Sequence, residues 1–278
     1  MNARRVAAAA ATAATVVALA AAGSLAVSAP AAGAAPQTKT VLRAGQVLRA
    51  GDRLVSAHGR YAAALTRGGR LAVSNSAGRV VWQTPAAGAG ARLNVGSRGS
   101  VALRRGSVVV WSTRSTGAGR HVELRVADTG VLALRSGKAL VWSSRTGNKC
   151  RGTHGKTMRV DVSRQLAWFC QHGQQLRVTP VTTGASARGA GTPTGRWRVQ
   201  AKVRNTTLYP AAGGAYHVRY WVPYDGAYGV HDSPWQRFPY GSAKYKTRGS
   251  HGCVHVPGPM MAWFYRWARV GTTVLIQR

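Results

Sequence analysis

Between Thr40 and Thr146 the apolar positions recur with a fixed beat. Gly69-Arg70-Leu71-Ala72-Val73, Gly99-Ser100-Val101-Ala102-Leu103 and Gly130-Val131-Leu132-Ala133-Leu134 each set a glycine turn before a short apolar strand. A second strand follows each and carries a tryptophan: Arg79-Val80-Val81-Trp82, Val108-Val109-Val110-Trp111-Ser112 and Ala139-Leu140-Val141-Trp142-Ser143. The tryptophans stand 29 and 31 residues apart. Short strands at even spacing predict a repeated sheet that closes on itself. One unit of this size cannot bury its own apolar face, so the three share one core, with the tryptophans at its centre.

After a polar, glycine-containing stretch from Ser143 to Gly155 the pattern changes. Met158–Val162 and Leu166–Cys170 read as a hairpin about the turn Ser163-Arg164-Gln165, and Leu176–Val181 as the next strand. Arg196–Val199, Ala215–Val222 and Thr272–Ile276 are further strands. Pro257–Val270 predicts the one helix, with Met260, Trp263, Phe264 and Trp267 in a single apolar stripe and Gly271 as the stop. The chain is therefore mainly β, in two domains over residues 35–148 and 149–278.

Residues 1–34 have the layout of a secretory signal peptide: Arg4 and Arg5, an uncharged run from Val6 to Ala22, and Ala32-Gly33-Ala34 as a cleavage site. A membrane-anchored helix is the competing reading, but the run is mostly alanine and is flanked by Pro30 and Pro36. Secretion to the cell wall permits disulfides. Of three cysteines, Cys150 precedes the hairpin whose second strand ends at Cys170, and the two are expected to bridge. Cys253 is left over.

Charge narrows the partners. There are 39 Lys and Arg against 6 Asp and Glu, a net charge of +33. The arginines are scattered through strand-like segments, with no basic helix or aromatic RNA-binding signature, so anionic cell-wall polymers are expected rather than nucleic acid.

The chemistry lies near the C-terminus, in Tyr228-Gly229-Val230-His231-Asp232 and then Ser250-His251-Gly252-Cys253-Val254-His255-Val256-Pro257. A cysteine attacks as thiolate, and an imidazole can take its proton. His251, two residues away, is the expected base. Gly252 permits a sharp turn that gathers backbone N–H groups on a substrate carbonyl. A zinc site of His231, His251, Cys253 and His255 is the rival reading, since three or four N/S ligands suit that metal. The remaining histidines, His58, His121, His154, His172 and His217, are expected on surfaces or turns.

Ser250-His251-Gly252-Cys253, with a histidine upstream in a Tyr-Gly-Val-His setting, resembles the signature of the L,D-transpeptidase (YkuD-type) catalytic domain. The resemblance extends from about Thr157 to Arg278. His255 stands where that family usually has Asn or Arg. The resemblance implies a β-sandwich catalytic domain that needs no metal or organic cofactor and acts on peptidoglycan stem peptides. Cys253 would attack the bond to the terminal D-Ala and pass the acyl group to an amine, giving a 3→3 crosslink. Ser250 would orient His251. His231 and Tyr228 would line the substrate pocket with His255, whose cationic form would favour the thiolate. Tyr224, Tyr228, Trp235 and Tyr240 would form a lid. An inactive wall-binding protein is the alternative reading.

The three N-terminal repeats resemble the bulb-type (B-type) lectin domain, a three-sided β-prism. That family binds mannose through Gln, Asp, Asn and Tyr. The matching positions here are Thr66, Gly68, Arg70 and Ser74, then Gly96, Arg98, Ser100 and Arg104, then Ala127, Thr129, Val131 and Arg135. The mannose set is absent from all three, so glycan binding would need other residues.

Overall fold

The computed structural model describes residues 35–116 and 121–278, and the expected signal peptide lies outside them. The first strands are β1 (Thr38–Lys39), β2 (Leu42–Arg43), β3 (Val47–Arg49), β4 (Arg53–Val55), β5 (Tyr61–Leu65), β6 (Leu71–Asn75) and β7 (Val80–Gln83). Next come β8 (Arg92–Val95), β9 (Val101–Arg105), β10 (Val108–Ser112), β11 (Val122–Val126), β12 (Leu132–Ser136) and β13 (Ala139–Ser143). They form three sheets, ordered β1-β4-β5-β6-β7, β10-β9-β8-β3 and β13-β12-β11-β2.

Alternation explains why the sheets face one another. Each sends one cross-strand row inward: Leu54–Ala63–Val73, Leu48–Leu93–Leu103 and Leu42–Leu124–Leu134. All nine side chains are fully buried. Each row ends on a tryptophan, pairing Val73 with Trp82, Leu103 with Trp111 and Leu134 with Trp142. The three indoles meet edge to face, with centroids 5.6 to 5.8 Å apart. Such contacts add about 0.5–1.5 kcal/mol each beyond area burial. Trp82 and Trp111 remain half-buried, so leucines fill the centre of the core and the indoles close it.

The second half contains β14 (Lys156–Asp161), β15 (Leu166–Gln171), β16 (Gln174–Pro180), β17 (Gly195–Arg198), β18 (Val203–Leu208), β19 (Tyr216–Asp225) and β20 (Tyr228–His231). After these come the short helix α1 (Tyr245–Arg248), β21 (Val254–His255), helix α2 (Gly258–Trp267) and β22 (Thr273–Gln277). One sheet runs β16-β15-β14-β22-β17 and the other β18-β19-β20-β21. Met158, Phe169 and Val274 of the first share a core with Val222, Val230 and Val254 of the second and with Met261 and Phe264 of α2.

Helix α2 ends before Val270 because Thr272 competes for the backbone. Its hydroxyl accepts the Arg269 N–H at 2.9 Å, and its own N–H returns to Arg269 O at 2.9 Å. The expected aromatic stripe packs on Phe169, whose ring lies 5.3 Å from both Trp263 and Phe264. Arg177 covers the outer face of Trp263 at 4.7 Å, and Lys156 that of Trp267 at 5.4 Å.

Cys150 and Cys170 form the expected disulfide, with Cα atoms 5.3 Å apart. It joins Trp168, Val178 and Leu140 in a small cluster where β13 lies against β16. Gln175 fixes that join. Its backbone N–H donates to Arg114 O at 3.0 Å, its carbonyl accepts from Thr116 N at 3.0 Å, and its side chain donates to Val141 O at 2.6 Å.

Candidate active site

The site is assembled on the β19-β20-β21 sheet. β20 pairs antiparallel with β19, Trp221 opposite His231 and Val222 opposite Val230. It pairs parallel with β21, placing His231 beside His255. The valine row Val222–Val230–Val254 is fully buried in the core. Trp221, His231 and His255 therefore lie on the opposite face.

The segment carrying Cys253 is clamped from both sides. Val256 N donates to His231 O at 2.9 Å, while His255 and Thr182 exchange backbone bonds of 2.8 and 3.0 Å. Ser250 N donates to Thr183 O at 3.1 Å, and Ala185 N to Ser250 O at 2.9 Å. Within this clamp Gly252 adopts φ +123°, a region unfavourable to any other residue. A Cβ there would overlap the Tyr228 ring. We expect Gly252→Ala to cost roughly 1–3 kcal/mol and most of the activity, measured by thermal unfolding and by donor turnover. An active variant of unchanged stability would show that the turn is not constrained.

The structure corrects the role expected for Ser250. Its hydroxyl donates to Cys253 O at 2.6 Å and accepts the Gly252 N–H at 3.0 Å. It ties the nucleophile's turn and does not orient His251. It also occupies the Gly252 N–H, which was expected to hold an oxyanion. The Cys253 N–H has no acceptor among the described residues.

Cys253 is half-buried and is the free thiol among the described residues. Its Sγ donates to Ala227 O at 3.9 Å. Burial pushes the thiol up to about 11, and the Gly229 N–H pulls the other way. No imidazole is hydrogen-bonded to it among the described residues. His251, the expected base, is exposed, with its ring 6.0 Å from Tyr216.

His231 is in a different state. It is buried, and its Nδ1 lies 2.7 Å from Asp232 O. A carbonyl only accepts, so Nδ1 carries the proton and Nε2 is left as an acceptor. Burial lowers its pKa to about 4. The Asp232 carboxylate, also buried, accepts the backbone N–H groups of Tyr220 at 3.0 Å and Arg219 at 3.3 Å. It anchors the residue whose carbonyl sets the His231 tautomer. Asp232 sat inside the motif, but its part could not be read without this pairing.

His255 faces His231, with ring centroids 4.7 Å apart. The Gln236 amide donates to Thr182 Oγ1 and Phe238 O, so its oxygen accepts from His255 Nδ1 at 3.2 Å. Burial, then the neighbouring His231 and His251, hold the His255 pKa well below the ordinary value. A cationic His255 that favours the thiolate is thus not supported.

Tyr224 is not on a lid. It is a fully buried core residue of β19, at the bulge between Pro223 and Asp225. Burial, then Cys253, raises its hydroxyl. Trp235 does lie over the site, 5.1 Å from Tyr216 and 6.0 Å from both His231 and His255. Tyr240 holds Ser233 at 2.9 Å. Among the described residues no group of three or more His, Cys, Asp or Glu is placed to hold a metal, and the zinc reading has no set of ligands.

Residues 155–276 match the family model of the L,D-transpeptidase catalytic domain (YkuD). This part of the chain belongs to the L,D-transpeptidase family. Similar solved structures include the crystal structure of the Enterococcus faecium L,D-transpeptidase in a cysteine-to-serine form. It is 33% identical over 44% of this chain and 50% of that one, with a TM-score of 0.41. The NMR structure of the E. faecium catalytic domain is 33% identical over 45% of this chain and 99% of that one, TM-score 0.41. The crystal structure of the Stackebrandtia nassauensis L,D-transpeptidase is 25% identical over 46% and 58%, TM-score 0.39. The match thus spans about half the length of that crystallised E. faecium chain. Comparison with curated proteins gives no match. Residues 155–276 are thus an L,D-transpeptidase (YkuD) catalytic domain.

Proposed function

We propose that this is a secreted cell-wall enzyme. It would cleave the terminal D-Ala from a peptidoglycan stem tetrapeptide through a Cys253 thioester and form 3→3 crosslinks. The observation that carries the reading is a free thiol one residue before β21, the strand that pairs with β20 and its buried histidine of fixed tautomer.

The base in this reading is His231 rather than His251. Its Nε2 takes the Cys253 proton as sulfur bonds to the carbonyl carbon. The carbonyl oxygen becomes an oxyanion held by the Cys253 N–H. Collapse breaks the C–N bond, and His231 returns the proton to the departing D-Ala amine. The side-chain amine of a second stem then attacks the thioester, losing a proton to His231, and the thiolate leaves and is reprotonated. Both resting groups are neutral at pH 7, so the proton moves during attack and not before it. Acylation of Cys253 by a carbapenem tests the reading: intact mass should rise by one inhibitor, and a protein that stays unmodified would support the inactive, wall-binding alternative.

The N-terminal sheets are proposed as a bulb-type lectin scaffold without its mannose site, with anionic wall polymers as partners. The support is three sheets on one core and the absence of the Gln, Asp, Asn and Tyr set. Each lost buried polar partner costs about 1–3 kcal/mol. Calorimetry on the whole chain should find no mannose binding below millimolar, and sub-millimolar affinity would overturn this.

A further inference from the structure

The three N-terminal sheets repeat one register, so one outward row can be compared across them. In the first sheet it reads Val55–Ala62–Ser74–Val80. In the third it reads Arg43–Glu123–Arg135–Leu140, where Glu123 binds Arg43 at 3.3 Å and Arg125 at 2.9 Å. In the second it reads Arg49–Arg92–Arg104–Val109. Here three arginines stand directly opposite one another on β3, β8 and β9, all exposed. No acidic residue occupies that sheet.

Like charges placed directly across strands are destabilising. Strands about 4.8 Å apart put the three within roughly 10 Å. The third sheet shows that the fold accepts a glutamate at the middle position, which relieves such a row. The second sheet keeps its row unrelieved, and the counter-charge must come from outside. Arg104 Nη1 donates to Ser107 O at 3.2 Å, and the described residues give the Arg49 and Arg92 guanidinium groups no acceptor.

Between the arginines the outer face carries Val47, Asn94 and Ala102. The strands' one aromatic residue, Trp111, pairs with Leu103 in the inward row. A surface for single-stranded nucleic acid stacks bases on aromatic rings, and this face has none. We propose that the outer face of the second sheet binds a linear polyanion without bases, through Arg49, Arg92 and Arg104. A guanidinium fork grips two oxygens of one phosphate, and a phosphodiester keeps its charge at every working pH, so the occupant is a polyol phosphate chain, and a uronate glycan is the rival that the test excludes. The surface gives a place to the anionic partner proposed above. It does not depend on the catalytic reading, because Cys253→Ala should bind as the parent does.

The test is binding of the full chain to a glycerol-phosphate oligomer, an oligogalacturonate and an oligodeoxythymidylate of equal charge, over a range of salt. We expect the glycerol-phosphate oligomer to bind best. R49S/R92S/R104S should weaken it at least tenfold and flatten the log-affinity against log-salt slope by about 1 for each arginine lost. The same triple variant should melt no lower than the parent at low salt, since it removes repulsion. The control R60S/R67S/R79S removes equal charge from exposed positions of the first repeat and should keep most of the affinity. Equal losses in the two triple variants, or tightest binding to the oligogalacturonate or the oligodeoxythymidylate, would overturn the proposal.

Discussion

Exchanging Cys253 for alanine should abolish transfer of donor stems to an amine and leave the fold intact. Loss of a covalent nucleophile typically removes four or more orders of magnitude from kcat. Little stability goes with it, because the thiol is half-buried, outside the disulfide and bound through a long contact to Ala227 O. The measurement is formation of 3→3 dimers from purified stems, with thermal unfolding alongside. Dimers formed by the variant at the parental rate would remove Cys253 from the mechanism.

Replacing His231 by glutamine should slow acylation of Cys253 by roughly 10²–10⁴-fold, the range for a general base. His251→Gln should cost far less. The pH dependence separates them further. His231 is held to about 4 by burial, so the rate of acylation should be level from neutral pH down to about 5 and fall only as pH approaches 4. An acid limb centred near 6.5, the ordinary imidazole value, would point to a different base. Stability follows the same group. Unfolded, His231 takes a proton below about 6.5, while folded it resists until about 4. Its contribution is therefore fully present above pH 6.5 and drains away as pH falls to 4, by about 3 kcal/mol. His255, depressed for the same first reason, adds to the loss. Denaturant unfolding at pH 7 and pH 4.5 measures it, and equal midpoints would show that the two rings are not buried in neutral form.

Much of the β framework was legible because its signal is local. Val108–Ser112 and Ala139–Ser143 have the ends that their apolar runs suggest. β18 was not legible, since Val203-Arg204-Asn205-Thr206-Thr207-Leu208 is mostly polar and earns its place by pairing with β19. Cys253, the turn at Gly252 and the disulfide could be read from residue type and neighbours. The base could not. Nearness along the chain favours His251, whereas strand pairing across more than twenty residues brings His231 to the site. Strict alternation gives the face of His255 but not its burial, which decides its charge. At Tyr224 the bulge in β19 defeats alternation, and a residue expected over the site is buried in the core.

The join at Gln175 has a mechanical meaning. A flexible linker would let the catalytic half sample a volume around anything its neighbour holds, so that the gain would be one of effective concentration. Here the Cys150–Cys170 bridge and three hydrogen bonds on one glutamine leave little slack. Cys253 is carried at a set offset from the N-terminal sheets. If the N-terminal sheets hold a polymer as proposed, the molecule would act as a ruler rather than a leash, and Cys253 would reach only what lies at one distance from the point of attachment.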